Sequence, residues 1–323
     1  MRSGTIALPA TDQLGMNTDE EREDAVKPLA PGLYLVATPI GNLEDITLRA
    51  LRVLRSVDKI ACEDTRQTQK LLNHFAIRTP TVSYHMHNEA GRATELAAAL
   101  KAGARIAVVS DAGTPGIADP GGQIAAAAIA VGVPVFPIPG ANAAISALIA
   151  SGLVGNAAAG EGAAGESFTF HGFLPAKEGQ RRTALEALRA GATRNPGTVI
   201  FYEAPHRILA TLADVEAIFG ATQRVVVARE LTKLHEEFLR GAVSEVRTTL
   251  ADRSTVRGEF VLLFAPLAAE AAQEGKPKSI AAEVRELMKA QGLTEKDALK
   301  QIARARNIGK SEAYRELQRE RGK

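Results

Sequence analysis

From residue 33 onward, short unbroken apolar runs alternate with segments whose apolar positions recur every three to four residues. Leu33-Tyr34-Leu35-Val36-Ala37 has strand length and no polar alternation. Leu48, Leu51, Leu54 and Val57 then fall at helical spacing. Lys59 to Cys62 and Arg105 to Val109 are further strand-like runs. The second of these leads through a Gly/Pro loop into an Ala-rich helix around Ile124 to Ala130, and Val133 to Ile138 is a strand again. Strands without a polar face are buried on both sides, and strand, glycine loop and helix in succession predict an α/β architecture.

Residues 155 to 166 contain no large apolar side chain and predict a mobile loop. A second α/β stretch follows, with strands at Thr198 to Tyr202, Arg224 to Ala228 and Gly258 to Phe264, a pattern that suits a sheet with antiparallel members. Three short helical patterns close the chain, at about 279–290, 295–304 and 310–320. Gly292 and Gly309 mark the breaks, with Thr294 and Ser311 as N-caps. The expected organisation is a disordered extension (1–31), an N-terminal α/β domain (32–140) and a C-terminal α/β domain (141–266). A linker (267–278) and a small helix-turn-helix-like domain (279–323) follow. The three helices would serve equally as a packing domain that supports the body or a dimer.

Composition adds four constraints. The chain of 323 residues is long enough for two domains. Its single cysteine excludes an intrachain disulfide and a thiolate zinc site, and Cys62 lies in an apolar run that predicts a buried strand residue. Trp is absent and aromatics make up only 4%, so stacking platforms for single-stranded nucleic acid are few. The apolar stretch from Ile124 to Leu153 is broken by Pro134, Pro137, Pro139 and Gly140, which predicts protein core and not a membrane span. With no secretory signal pattern before residue 32, a cytoplasmic location is expected. Net charge is +2 but uneven: residues 276–323 hold 13 Lys or Arg against 7 Asp or Glu, a local charge of +6. Such a tail suits an anionic partner such as RNA, or else forms a solvated face.

Three Gly/Pro-rich loops follow directly on strands: Ala37 to Asn42, Ser110 to Gly121 and Pro137 to Asn142. Ligands of open α/β sheets bind beyond the C-terminal ends of strands, where glycines let the backbone approach them. Neither phosphate-loop nor dinucleotide spacing is present, and ordinary turns give the same pattern. Polar clusters stand at Glu63 to Arg66, Tyr84 to Glu89, Tyr202 to Arg207 and Arg229 to Lys233, each just after an apolar run. Their carboxylates and imidazoles suit acid/base work. His85, His87 and Glu89 have metal-ligand spacing, but no further ligands complete a set, so no metal is expected.

Taken in order, VATPIGNLEDITLRAL, ACEDTR, VVSDAGTPGIADPG, PIPGANAAISAL, GFLP with Lys177, FYEAPHRI and VARELTKLHEEFLRG closely resemble the tetrapyrrole-type (class III) methyltransferases. Within that superfamily they resemble the enzymes that methylate a cytidine 2′-hydroxyl of small-subunit ribosomal RNA. The resemblance implies two α/β domains with S-adenosyl-L-methionine held between them, a homodimer, and a target in the decoding centre of 16S rRNA in the small ribosomal subunit. The residues it implies for the cofactor are Pro39, Ser110, Ala112, Gly113, Thr114, Ile117, Asn142, Ala143, Tyr202 and Glu203. The catalytic candidates are Glu63, Asp64, His85 and Glu89. Arg66, Asn88, Lys177, Arg181, His206 and Arg207 are candidates for the RNA, with Arg182 and the tail's Lys300, Arg304, Arg306 and Lys310 behind them. A methyltransferase of small tetrapyrrole precursors shares the fold but needs no basic tail. A non-catalytic RNA-binding assembly factor would keep the tail and need no cofactor loops.

If the tail anchors RNA, deleting residues 276–323 weakens RNA binding and flattens its dependence on salt, because fewer counterions are released. An unchanged slope in a salt titration would assign the tail's charge to a solvated face.

Overall fold

The computed structural model describes residues 28–85, 89–153, 167–191, 197–266, 280–291, 293–305 and 309–321. The expected disordered extension up to residue 27, the 155–166 loop, the 267–278 linker and the candidate Asn88 lie outside these residues.

The first compact unit comprises residues 1–147 and 229–237. Its sheet has the order β3-β2-β4-β1-β5, formed by β1 (Gly32–Val36), β2 (Lys59–Cys62), β3 (Thr81–Ser83), β4 (Arg105–Val109) and β5 (Val135–Ile138). All four pairings are parallel. The missing polar alternation now has its cause. Tyr34, Val36, Ala107 and Val109 belong to one core layer, with Val53 and Leu54 of α1 (Leu48–Ser56) and Leu72 of α2 (Thr65–His74). Leu33, Ala61, Ile106 and Val108 face the other, against Leu96 and Leu100 of α3 (Glu89–Lys101) and Ile124 and Ala128 of α4 (Gly122–Ala130). Each fully buried Leu, Ile or Val contributes on the order of 1.5–3 kcal/mol. Cys62 is buried in β2, as its apolar run predicts.

The second unit comprises residues 148–228 and 238–323. Its sheet has the order β6-β7-β10-β8-β9, from β6 (Phe168–Phe173), β7 (Thr198–Glu203), β8 (Arg224–Arg229), β9 (Glu237–Ala242) and β10 (Phe260–Phe264). Pairing is parallel between β6 and β7 and antiparallel between β7 and β10, the mixed sheet that the sequence suggests. Phe201, Val227, Leu262 and Phe264 meet Leu185 of α6 (Glu178–Gly191), Leu212, Val215 and Phe219 of α7 (Ile208–Phe219) and Val246 of α8 (Val243–Ala251) in its core. The unit boundary falls inside α5 (Ala143–Ser151), later than residue 141, and residues 229–237 return to the first unit.

Arg181 requires a correction. Expected to contact RNA, it is only 5% exposed. Its Nε donates to Asp214 Oδ2 at 2.7 Å and its Nη1 to the Ala176 carbonyl at 3.3 Å. It points inward because α6 lays that face on α7, where Asp214 offers a charge of opposite sign.

The tail forms α9 (Ile280–Gln291), α10 (Glu295–Ala305) and α11 (Lys310–Arg321), within a residue or two of the patterns in the sequence. Ile280, Val284, Ala298, Ile302, Ala303, Ala313 and Leu317 make its own small core. Thr294 caps α10 as expected, its Oγ1 accepting from Asp297 N at 3.3 Å. Ser311 is not a cap: α11 opens one residue before it, and Ala313 N donates to the Gly309 carbonyl.

Arg181→Ala should destabilise the protein by about 3–5 kcal/mol, because it strands Asp214 in an apolar layer, whereas Arg181→Met with Asp214→Leu should recover most of that loss. Urea unfolding of the two variants checks both. A near-neutral Arg181→Ala would mean that the pair is open to water.

Candidate active site

The loops after β1, β4 and β5 leave the same end of the sheet, because β1 runs parallel between the other two strands. They are tied to one another. Thr38 N donates to the Gly113 carbonyl at 2.8 Å, and Gly113 N donates back to the Thr38 carbonyl at 3.0 Å. The Thr38 hydroxyl donates to the Ser110 carbonyl at 3.3 Å. The Thr114 hydroxyl donates to the Ala141 carbonyl at 3.1 Å, and Asn142 Nδ2 donates to Thr114 Oγ1 at 3.3 Å. Asn142 Oδ1 also accepts from Ile145 N, which caps α5. Gly113 has a φ of +83°, and a Cβ there would stand 3.2 Å from Ile40 Cγ2. Gly140 lies so close to Ala37 that a Cβ would fall 2.9 Å from the Ala37 Cβ.

The cofactor candidates of the first unit therefore gather at one place. Pro39, Thr114 and Ala143 are half-buried, and Ala112 is exposed. Ile117 keeps an apolar side chain 39% exposed at the loop surface. Ser110 is buried, and its hydroxyl donates to the Ala112 carbonyl at 3.2 Å, so it shapes the loop from within. Residues 229–237 close against the first loop, since Gly41 abuts the Lys233 side chain. Glu230 and Thr232 have φ of 51° and 65°; for the β-branched Thr232 that is real backbone strain, of the kind that gathers at functional sites.

A cavity of about 390 Å³ opens beside these loops, with α2 as its far wall. Pro39, Leu43 and Ala112 line one side, and Gln67, Lys70 and His74 the other. Asp111 lines the cavity as well, and Asp64 N donates to Asp111 Oδ1 at 3.0 Å; Glu63 feels the charges of Asp111 and His85, and Asp119 those of Glu63 and Asp111. Asp64 is the N-cap of α2, accepting from Arg66 N at 2.8 Å, and pairs with Arg66 Nη2 at 2.9 Å. Its bonds to Arg66 hold its carboxyl below the usual range, so it remains an anion and a poor base. Arg66, otherwise exposed, is engaged by the same pair. Glu63 is different: burial and then the Asp111 charge push its carboxyl up, while His85 pulls it down. Asp119 is pushed up to about 6, by burial first and then by the charge of Glu63, against a hydrogen bond from Ser110. Asp111 and Asp119 escape sequence reasoning because they sit among the glycines and prolines of a turn. Glu89 opens α3, but its side chain lies outside the described residues.

In the second unit, Lys177, Arg182 and His206 are exposed and Tyr202 is half-buried, in edge contact with Phe170 and Phe173. Two candidates there need correction. Glu203 is 2% exposed; its carboxylate accepts from Thr211 Oγ1 at 2.6 Å and Ala204 N at 2.9 Å and pairs with Arg207 at 3.1 Å. Buried and engaged in holding the β7–α7 turn, this carboxylate is not open to a cofactor. Arg207 donates through Nη2 to the Leu174 and Pro175 carbonyls at 2.5 and 3.2 Å, so it pins the Gly172 to Pro175 segment and is not a phosphate contact.

A parallel sheet with three interlocked strand-end loops, followed by a mixed sheet, defines a known class of protein. The chain belongs to the tetrapyrrole (corrin/porphyrin) methylases, whose family pattern matches residues 32–247. Within that family its place is with ribosomal RNA small subunit methyltransferase I. It is 46% identical over 282 residues to the protein of that name from Synechocystis sp., covering 87% of this chain and 95% of the relative. To that from Bacillus subtilis (strain 168) it is 45% identical over 285 residues, covering 87% and 92%. In fold it is similar to a crystal structure of diphthine synthase (TM-score 0.55, 14% identity, 75% of this chain and 93% of that one). A conserved hypothetical protein from Aeropyrum pernix K1 is also similar (TM-score 0.57, 17% identity, 76% and 88%).

Asp119 yields a test of the carboxylate cluster. Its folded-state pKa is raised above the unfolded value, so its ionised form costs stability above about pH 6 and the cost fades as pH falls toward 4. Asp119→Asn should therefore raise the Tm relative to the parent at pH 7–8, with the difference shrinking through pH 6 and gone near pH 4. A difference independent of pH would mean that Asp119 feels no burial or neighbouring charge.

Proposed function

We propose that this protein transfers the methyl group of S-adenosyl-L-methionine to the 2′-hydroxyl of a cytidine in the decoding centre of 16S rRNA, acting in the cytoplasm, as a homodimer, on the small ribosomal subunit. The observation that carries this reading is the juxtaposition of the tied loops, the cavity beside them and the carboxylates coupled to Asp111 on its wall. The names of relatives near 46% identity support the choice of RNA over a tetrapyrrole.

The loop residues fit such a cofactor. A Cβ at Gly113 would crowd Ile40, so glycine lets the loop backbone take this course, and exposed Ile117 offers an apolar contact. Pro39, Ala112, Gly113, Thr114, Ile117, Asn142 and Ala143 would hold it. When bound, the cofactor supplies a methyl group already activated on a sulfonium. The protein's main contribution is then alignment, which is worth roughly 7–11 kcal/mol when two reactants are held in line. The rigid Thr38–Gly113 bridge serves that purpose.

The 2′-hydroxyl must lose a proton, and Glu63 is the group best placed to accept it. It is half-buried and has a raised proton affinity, whereas Asp64 is fixed as an anion by Arg66. His85 stands close enough to act on Glu63 electrostatically and orients it or relays the proton onward. Exposed Lys177, Arg182 and His206 are available to phosphates, which position RNA without reading its sequence.

Mass-spectrometric mapping of ribose methylation in small subunits, from cells with and without the protein, tests the reaction. One cytidine 2′-O-methyl group should depend on it; methylation of a tetrapyrrole precursor instead would sink the proposal. Glu63→Gln should lower kcat by about 10²–10⁴-fold, while calorimetric binding of the cofactor stays unchanged. An unaltered kcat would remove Glu63 from the chemistry.

A further inference from the structure

The tail's core is complete without Tyr314. Ile280, Val284, Ala298, Ile302, Ala313 and Leu317 fill it, and Tyr314 of α11 stays 54% exposed. The chain holds four tyrosines and no tryptophan. Tyr34 and Tyr84 are buried and Tyr202 is half-buried, so Tyr314 is the tyrosine that shows its ring to solvent. The ring does not stand alone. It lines a groove of about 440 Å³ with Glu295, Lys296, Leu299 and Lys300 of α10.

Lys296, Leu299 and Lys300 are spaced i, i+3, i+4 and so share one face of α10. Leu299 is 7% exposed and gives the groove an apolar floor, and both lysines are exposed. Glu295 lies in the first turn of α10, where a carboxylate complements the helix dipole, so its presence has a local cause. An aromatic face, an apolar floor and two ammonium groups form a combination with one natural occupant. Bases of a single strand stack on such rings while cations follow the backbone. Protein interfaces, by contrast, are depleted in lysine. The charge of +6 over residues 276–323 adds the complementary field.

We propose that this groove binds one unstacked base of single-stranded RNA, with Tyr314 as the stacking face and Lys296 and Lys300 on the flanking phosphates. The choice of RNA rests on the substrate proposed above. The groove would hold a nucleotide away from the one methylated, and so select a substrate whose strand is open at two places.

The absence of tryptophan supplies the probe. In the full-length protein, Tyr314→Trp places the sole indole in the groove. Titration with a ten-nucleotide single-stranded RNA should quench its fluorescence, and the same sequence as a duplex should not. Tyr314→Ala should weaken single-strand binding by about 5- to 150-fold, the range for loss of one stacked base, and Tyr314→Phe should retain it. Lys296→Ala with Lys300→Ala should lower the salt slope by about 0.7 for each lysine. The proposal is overturned if Tyr314→Ala binds the strand as the parent does. It is equally overturned if the indole responds to protein concentration without RNA, which would make the groove a contact between copies. Assaying methyl transfer to small subunits separates the two proposals. Transfer by the parent with an unchanged KM in Tyr314→Ala removes the groove alone. Quenching by single-stranded RNA without transfer removes the proposed reaction and leaves the groove.

Discussion

The constraint on which the rest depends is the position of β1 between β4 and β5. Parallel pairing on both sides brings three loops out at one end within hydrogen-bonding reach. The Thr38–Gly113 bridge then continues the sheet's hydrogen bonding beyond the strands. A loop tied in this way keeps its shape without a ligand, so little order has to be created on binding, and preorganised groups lose little of their interaction energy to ordering. Gly113 and Gly140 belong to the same constraint: Ala37 leaves no room for a Cβ at Gly140, and Gly113 combines a left-handed φ with a close approach to Ile40.

Most of the sheet interior was legible in the sequence for one reason. Strands covered on both faces have unbroken apolar centres, and β1, β2, β4, β7, β8 and β10 are all of this kind, with polar residues only at their ends. The strands that pattern reasoning passes over are β3, β6 and β9, all at sheet edges. β3 is three residues long, and its Thr81 and Ser83 are half-buried. Edge strands tolerate polar residues because one side of the ladder is open to water. The return of residues 229–237 to the first unit was not legible either. It depends on a packing contact of Gly41 with Lys233, nearly two hundred positions away, and no local periodicity encodes such a contact.

The candidate site was legible as a set of loops and only in part as a set of roles. Arginines at motif positions invite assignment to phosphate, yet Arg181 and Arg207 are used inside the second unit. The reason is geometric. A guanidinium offers five donors in a fixed fork, which suits a buried Asp or a pair of carbonyls at a chain turn as well as it suits a phosphate. Burial decides between these uses, and burial depends on which face a helix lays down. For α6 that face includes Arg181 but not its neighbour Arg182, which remains exposed.

The carboxylates show the same division at closer range. Glu63 and Asp64 are adjacent, with the same charge and the same strand end behind them, and their proton affinities move in opposite directions. Asp64 turns toward the start of α2, where a helix N-terminus and Arg66 both favour the anion. Glu63 turns toward Asp111 and Asp119, where burial and like charge favour the proton. When carboxylates lie close together in a partly dry site, ionising one raises the cost of ionising the next. Glu63 and Asp119 are coupled in this way: a proton arriving at Glu63 removes a charge that raises the proton affinity of Asp119. A site built in this way favours the arrival of a proton at Glu63, because that proton relieves the crowding of charge that the loop has built in.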